Sequence, residues 1–525
     1  MPSVDSAETA THEVSDRSPA APWPAVRVAT WATAVLLLAG GILRIGRYLA
    51  DRSLWLDESY LTLNLITRSY GGLLKTLDFN QGAPVGFLWA EKLMLSLLGD
   101  SELALRAFPL AVSLAALALF YLVARDVLGE VALLVAVFLF ASMEPFVRYA
   151  AEVKQYGLDA AVTVALLLVF VRVVERGPRG RRSTVLLALA GPLAVFFSHP
   201  SVFVLAGIAC AGLSLAVERG DRAVLRRQVT AYLIWLAAFG VVYLVAIRDL
   251  EGLRRTVRGV GAGATGGVKN VYTIFNEPGL LPRTAVGLTA ALVLAGAVYL
   301  WSRRPGVVVM GAATTAALLA AGLIGAYPVG QRFLLFLLPV GLLFLAEGVA
   351  AIVAHAPRLL AAALVAASVG LIGLPVLADA AARLAAPPET EEIEPLLAEV
   401  VRGWRDGDVL VLYPESQYAF RYYQECEDCS SLTPTLRRLW PTRPTAGGRD
   451  QRTPAIVSRT PALVVGDHGR PYLDGVTGRT RAWFLATHFF PRTEPEVLAE
   501  VDGIGTRRRC SYGGASVLCL YDLSR

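Results

Sequence analysis

The chain has 525 residues, 55% of them hydrophobic and only 18% charged, with a net charge of +6 and a mean hydropathy of +0.52. Soluble domains rarely reach such values, and the apolar residues fall in runs of roughly 15 to 23, the length that crosses a bilayer as helix. The basic residues sit in short clusters between those runs, so the charge excludes a nucleic-acid partner and points to a polytopic chain in a lipid bilayer.

Residues 1–25 are polar and rich in Ala, Ser and Pro, as expected of a disordered cytoplasmic tail. They carry no cleavable-signal pattern, so the first apolar run is expected to stay as an anchor. Eleven apolar spans are readable: 26–46, 104–127, 131–144, 156–175, 184–198, 201–217, 229–247, 283–302, 306–323, 330–351 and 359–378. The basic clusters at Arg176–Arg182, Arg219–Arg227, Arg303-Arg304 and Arg358 all fall on one side if the N-terminus is cytoplasmic and the count is eleven. The expected localisation is therefore a multi-pass plasma-membrane protein, with a transmembrane domain over 26–380 and an external C-terminus.

Between the first two spans, Asp57–Arg68 and Pro84–Leu98 read as helices lying in the outer interface rather than crossing it. In the second, Glu91, Lys92 and Ser96 take one face and Val85, Leu88, Trp89 and Leu93 another. Beyond Pro387-Pro388, over 388–525, helical periodicity at Glu391–Trp404 and Gln417–Glu425 alternates with strand patterns. The strands fall at Asp408–Tyr413, Pro461–Val465, Arg481–His488 and Ala515–Tyr521, which predicts a small extracytoplasmic α/β domain. The fold class expected is mainly α, a transmembrane helical bundle with that domain appended.

Cys210 lies within an apolar run and reads as a small core residue. Cys426, Cys429, Cys510 and Cys519 are confined to the polar C-terminal part, which favours one or two disulfides on an oxidising side. A redox-active or metal-binding CxxC is the alternative, though no His accompanies it at ligand spacing, and the pairing stays open.

Ionisable groups gather in four outer loops. Asp57-Glu58 follows the first span directly. A carboxylate pair there is costly beside lipid and suits a general base acting on an acceptor hydroxyl. The plainer reading makes Asp57 a helix N-cap and Glu58 a solvated helix-start residue. In Arg148-Tyr149-Ala-Ala-Glu152-Val-Lys154-Gln-Tyr156, Lys154 either snorkels as an interfacial anchor or holds a phosphate, with Glu152 near enough to orient it. His199, at Ser198-His199-Pro200, is a junction residue or a ligand-binding one. Arg332 departs from the positive-inside pattern, so it either snorkels or meets an anion.

Taken in order, these segments resemble the GT-C superfamily of integral-membrane glycosyltransferases, above all bacterial relatives of the protein O-mannosyltransferases and the lipid A aminoarabinose transferase. The resemblance rests on Trp55-Leu-Asp57-Glu58, Gln81-Gly-Ala-Pro84, Gly99-Asp100-Ser-Glu102-Leu-Ala-Leu-Arg106, Tyr149-Ala-Ala-Glu152-Val-Lys154-Gln-Tyr156 and Gln331-Arg332-Phe-Leu-Leu-Phe-Leu-Leu-Pro339. It implies transfer of a sugar from a polyprenyl-phosphate-linked donor to an extracytoplasmic acceptor, whether lipid, polysaccharide or protein. By similarity Asp57 is the base and Glu152 assists; the outer-loop residues themselves add Glu58 beside them and Lys154, Tyr156, His199 and Arg332 as candidates for substrate binding. Lys154 stands where many relatives carry Arg.

ATP and nucleotide-sugars are absent outside the cytoplasm, which fits a donor already activated on lipid. A phosphate leaves without a proton donor if cations meet its charge, so an inverting transfer needs no cofactor. A divalent cation at Asp57 and Glu152 is compatible with the motifs but not required by them. A polytopic lipid or solute transporter is the alternative. It should show paired repeats and charges at mid-membrane, whereas here the charges sit in outer loops. An assembly scaffold built on the external domain is the third class.

Overall fold

The computed structural model of the protein describes residues 23–247, 286–328, 330–386, 390–427, 429–444, 456–465, 476, 478–488, 494–503 and 505–524. Of the expected disordered tail, 1–25, residues 1–22 lie outside the described residues, whereas Trp23–Ala25 begin the first helix; the Pro387-Pro388 boundary also lies outside them.

The apolar runs all fold as helix. α1 (Trp23–Leu49) is followed by two helices of the first loop, α2 (Leu56–Thr67) and α3 (Val85–Leu98). Then come α4 (Glu102–Val127), α5 (Glu130–Ser142), the short α6 (Glu144–Arg148), α7 (Tyr156–Val169), α8 (Arg181–Phe197), α9 (Ser201–Glu218) and α10 (Arg222–Val242). α11 (Val286–Arg303), α12 (Pro305–Leu323), α13 (Leu338–His355), α14 (Arg358–Ser368) and α15 (Leu374–Ala385) complete the bundle, α14 and α15 being halves of one long helix.

Among the described residues nine helices are long and apolar enough to cross a membrane, or ten if the pair bent by 50° after Ser142 counts as one span. The sequence expectation of eleven differs for two local reasons. Pro145 lacks an N–H to donate and starts a new helix at α6, and α8 has only 17 residues. The helices pack closely where side chains are smallest. A Cβ on Gly296 of α11 would stand 1.8 Å from the Phe344 carbonyl oxygen of α13, and one on Gly348 2.0 Å from that of Leu292.

α3 is a 14-residue helix in the expected place, but the expected charged and apolar faces are both split. Glu91 is buried with Val85, Phe87 and Leu88, while Trp89, Leu93 and Leu97 are exposed. An apolar outward face suits lipid, so the charged residue turns into the protein. Lys92 donates to the Leu65 carbonyl near the end of α2 (2.7 Å).

The C-terminal part is the small α/β unit the sequence suggested. β1 (Val409–Leu412) lies parallel between β4 (Leu463–Val465) and β5 (Arg481–Ala486), and β5 continues antiparallel to β7 (Ser516–Asp522) and β6 (Thr506–Gly513). Three strands were not expected from sequence: β6 and the separate pair β2 (Thr442–Pro444) and β3 (Ile456–Ser458). Cys510 and Cys519 are cross-strand partners and form one disulfide; Cys426 and Cys429 form the other.

This unit is docked on the first loop. α16 (Ile393–Gly403) and α17 (Ser416–Glu425) face the membrane part, and Tyr418 of α17 packs edge-on against Tyr60 of α2 (ring centroids 4.6 Å). Tyr422 donates to the Asp100 carbonyl (2.7 Å) and Tyr423 to the Glu102 carboxylate (2.5 Å).

Candidate active site

Asp57 is not the N-cap of α2. That position belongs to Trp55, and Asp57 is the second residue of the helix. Its carboxylate is 19% exposed and ion-paired with Arg332, at the start of the 3-10 turn leading into α13. Arg332 also lies over the rings of Tyr156 (5.7 Å) and Phe333 (5.6 Å), a cation–π setting that fixes the guanidinium. Burial works against ionisation of Asp57, but the charges of Lys154 and then Arg332 outweigh it and hold the carboxyl below its ordinary value.

Glu58 is fully used inside the protein. Its carboxylate takes Arg106 Nε (3.0 Å) and Nη2 (2.7 Å), the Val153 N–H (2.8 Å) and, more weakly, the Trp55 N–H (3.4 Å). Arg106 in turn donates to the Arg52 carbonyl (2.6 Å). This buried ion pair therefore ties the first loop, α4 and the second outer loop together. Val153 sits between Glu152 and Lys154, so the bond that anchors it positions both.

Lys154 is buried and donates to Gln81 Oε1 (2.7 Å), while Gln155 reaches the Gly82 carbonyl (3.2 Å). The Gln81-Gly-Ala-Pro84 motif is thus a rest for the second loop. Burial lowers the Lys154 ammonium to about 8, against the pull of Asp57. Glu152 is buried and paired with Arg148 (2.7 Å), which lies over the Trp55 ring (5.7 Å); the second oxygen of Glu152 is buried with no hydrogen-bond partner among the described residues.

Asp57, Lys154, Tyr156 and Arg332 are thus brought together, with Glu58 beneath and Glu152 alongside. Among the described residues no hydrogen bond, ion pair or ring contact joins His199 to this group, and burial lowers its imidazole to about 4. Among the described residues no cluster of three or more His, Cys, Asp or Glu side chains is placed to hold a metal ion.

Three participants escaped the sequence reading. Glu391, just ahead of α16, accepts the Leu56 N–H at the start of α2 (2.9 Å) and contacts His488 Nδ1 (2.7 Å). Glu392 accepts the Ser53 N–H (3.0 Å). Neither Glu391 nor His488 lies in a motif, and only the fold carries them to residues more than three hundred positions earlier.

The family model described as dolichyl-phosphate-mannose-protein mannosyltransferase matches residues 82–247, which include Glu152, Lys154, Tyr156 and His199. No curated protein matches the chain. Among solved structures, the archaeal oligosaccharyltransferase AglB from Archaeoglobus fulgidus, in complex with an inhibitory peptide and a dolichol-phosphate, is 12% identical with a TM-score of 0.45, over 76% of this chain and 64% of that one. The chain thus spans less than two thirds of the length of AglB. ArnT from Cupriavidus metallidurans is similar in its apo state (12% identity, TM-score 0.46, 95% of this chain and 98% of that one). Its form bound to undecaprenyl phosphate gives 11%, 0.45, 96% and 99%. Over residues 82–247 the family match bears out the resemblance to the mannosyltransferase relatives.

Proposed function

We propose that the protein transfers a sugar from a polyprenyl-phosphate-sugar to a hydroxyl acceptor on the outer side of the plasma membrane, with inversion at the anomeric carbon and without a cofactor. The observation that carries this reading is the meeting of Asp57, Arg332 and Lys154, one carboxylate and two cations from three separate outer loops. The acceptor hydroxyl gives its proton to Asp57, and its oxygen bonds the anomeric carbon from the face opposite the phosphate. The bond to phosphate breaks with its electron pair on the phosphate oxygen, where Arg332 and Lys154 meet the growing charge.

Arg332 links the two halves of the reaction. It is paired with Asp57, and a donor phosphate competes for the same guanidinium. Donor binding thereby loosens the hold on Asp57 and leaves a better base. Glu58 acts as a positioning residue for the carboxylate beside it, and Glu152 orients Arg148 at the rim.

The test is incubation of the purified protein, in lipid nanodiscs, with a panel of undecaprenyl-phosphate-sugars and envelope membranes as acceptor source. Release of undecaprenyl phosphate with at least one sugar is expected. No release with any sugar contradicts the reading.

A further inference from the structure

The helix that carries Asp57 has no cap of its own. α2 opens on Trp55, whose side chain makes no capping bond, and the Leu56 N–H is one of the donors that every helix start leaves without an intrahelical partner. Its acceptor comes from the C-terminal unit, where Glu391 Oε2 takes it at 2.9 Å. A carboxylate also suits the positive end of a helix. Leu56 is bonded covalently to Asp57, so this contact ends one peptide away from the base.

Glu391 is itself held from the backbone and from the side chain. Its backbone pairs with Gly514 in the turn between β6 and β7. On either side the Glu392 N–H donates to the Gly513 carbonyl (3.1 Å), and the Ala515 N–H to the Thr390 carbonyl (2.6 Å). The approach is close: a Cβ on Gly513 would stand 2.7 Å from the Glu392 carbonyl oxygen. The second carboxylate oxygen of Glu391 is bonded to His488 Nδ1 (2.7 Å). The same strap grips the chain ahead of α2, with Glu392 on the Ser53 N–H (3.0 Å) and the Glu394 N–H on Ser53 Oγ (3.2 Å).

We propose that Glu391 is a positioning residue for Asp57, so that the C-terminal unit completes the active site by capping the helix that carries the base. The inference rests on the glycosyl-transfer reading. Without the cap the first turn of α2 frays, and Asp57, its second residue, leaves its place against Arg332. Lys154 stays on Gln81, and Arg332 stays over the rings of Tyr156 and Phe333, so the cations for the donor phosphate keep their positions. The damage therefore falls on kcat and spares donor binding.

The test uses the full chain in the undecaprenyl-phosphate release assay. Glu391→Ala should keep the donor KM and lower kcat by roughly ten- to a hundredfold, the effect of a small misplacement of a reacting group. Glu391→Gln keeps an acceptor oxygen of the same reach and should restore most of kcat. Glu391→Asp draws the acceptor back by one methylene while keeping its charge. It should behave as Glu391→Ala does, and it carries the test if the alanine variant fails to fold. Tyr422→Phe removes a different bond between the C-terminal unit and the membrane part, the one to the Asp100 carbonyl (2.7 Å), and should leave kcat at the wild-type level. Wild-type kcat in Glu391→Ala and Glu391→Asp overturns the positioning role, as does an equal loss in Tyr422→Phe or no recovery in Glu391→Gln, while wild-type release keeps the glycosyl-transfer reading. Absence of release by the wild type overturns both.

Discussion

Arg332 and Asp57, 275 residues apart in the chain, form an ion pair at the end of the helical bundle where α2 begins. The pairing joins the start of α2 to the entry of α13, and both partners keep part of their surface open. In the proposed reaction, a donor phosphate competes with Asp57 for the Arg332 guanidinium.

Arg332→Ala should therefore impair donor use. Loss of one such electrostatic contact to the leaving phosphate costs on the order of 3 kcal/mol, roughly a hundredfold in kcat/KM for the donor. Measured turnover and donor affinity at wild-type levels in a folded variant would leave Arg332 as an interfacial anchor.

The lowered basicity of Lys154 gives a pH signature. Its ammonium titrates at about 8 in the free protein, so donor kcat/KM should fall as pH rises through that value. Lys154→Arg keeps its charge there and should flatten the profile. Stability moves the other way: the charged form is penalised by burial below about pH 8, and that cost fades as pH rises from there toward the unfolded value. An unchanged alkaline limb in Lys154→Arg would remove Lys154 from donor binding.

Glu58 and Arg106 have side chains only 1% and 2% exposed. Removing either leaves a buried charge alone, at a cost of about 3–5 kcal/mol. Glu58→Gln should thus lower the thermal midpoint markedly, unlike Asp57→Asn. Equal midpoints for both variants would argue against Glu58 as the residue that holds the site together.

The face that carries Asp57 is expected outside the cell. Ser69 and Arg182 are both exposed and follow opposite ends of the bundle. In a Cys210→Ser background, an impermeant maleimide on intact cells should label Ser69→Cys and spare Arg182→Cys. The reverse pattern would invert the topology.

The helices were legible because lipid demands long apolar runs, and the four outer loops were legible because charge is conspicuous between them. Side-chain direction was not. Composition at 84–98 reads alike whether Glu91 faces water or protein, and only packing against the bundle turns it inward. The N-cap of α2 was misread because Asp is a common cap, whereas Trp55 is not and makes no side-chain capping bond; Glu391 supplies an N-terminal acceptor from another domain. The partners of Glu58 were present in quoted motifs, yet nothing in their spacing joins Arg106 to it. His488 gave no sequence signal at all, because a lone histidine after a strand gains meaning only from what stands opposite.

Asp57→Asn in the donor-release assay tests proton abstraction by Asp57 most directly. The amide retains size and leaves the cap from Glu391 in place, while Arg332 loses its resting competitor. Folding should be normal and donor binding equal or tighter, with kcat lowered by about a hundredfold or more. Full turnover in that variant would contradict Asp57 as the base.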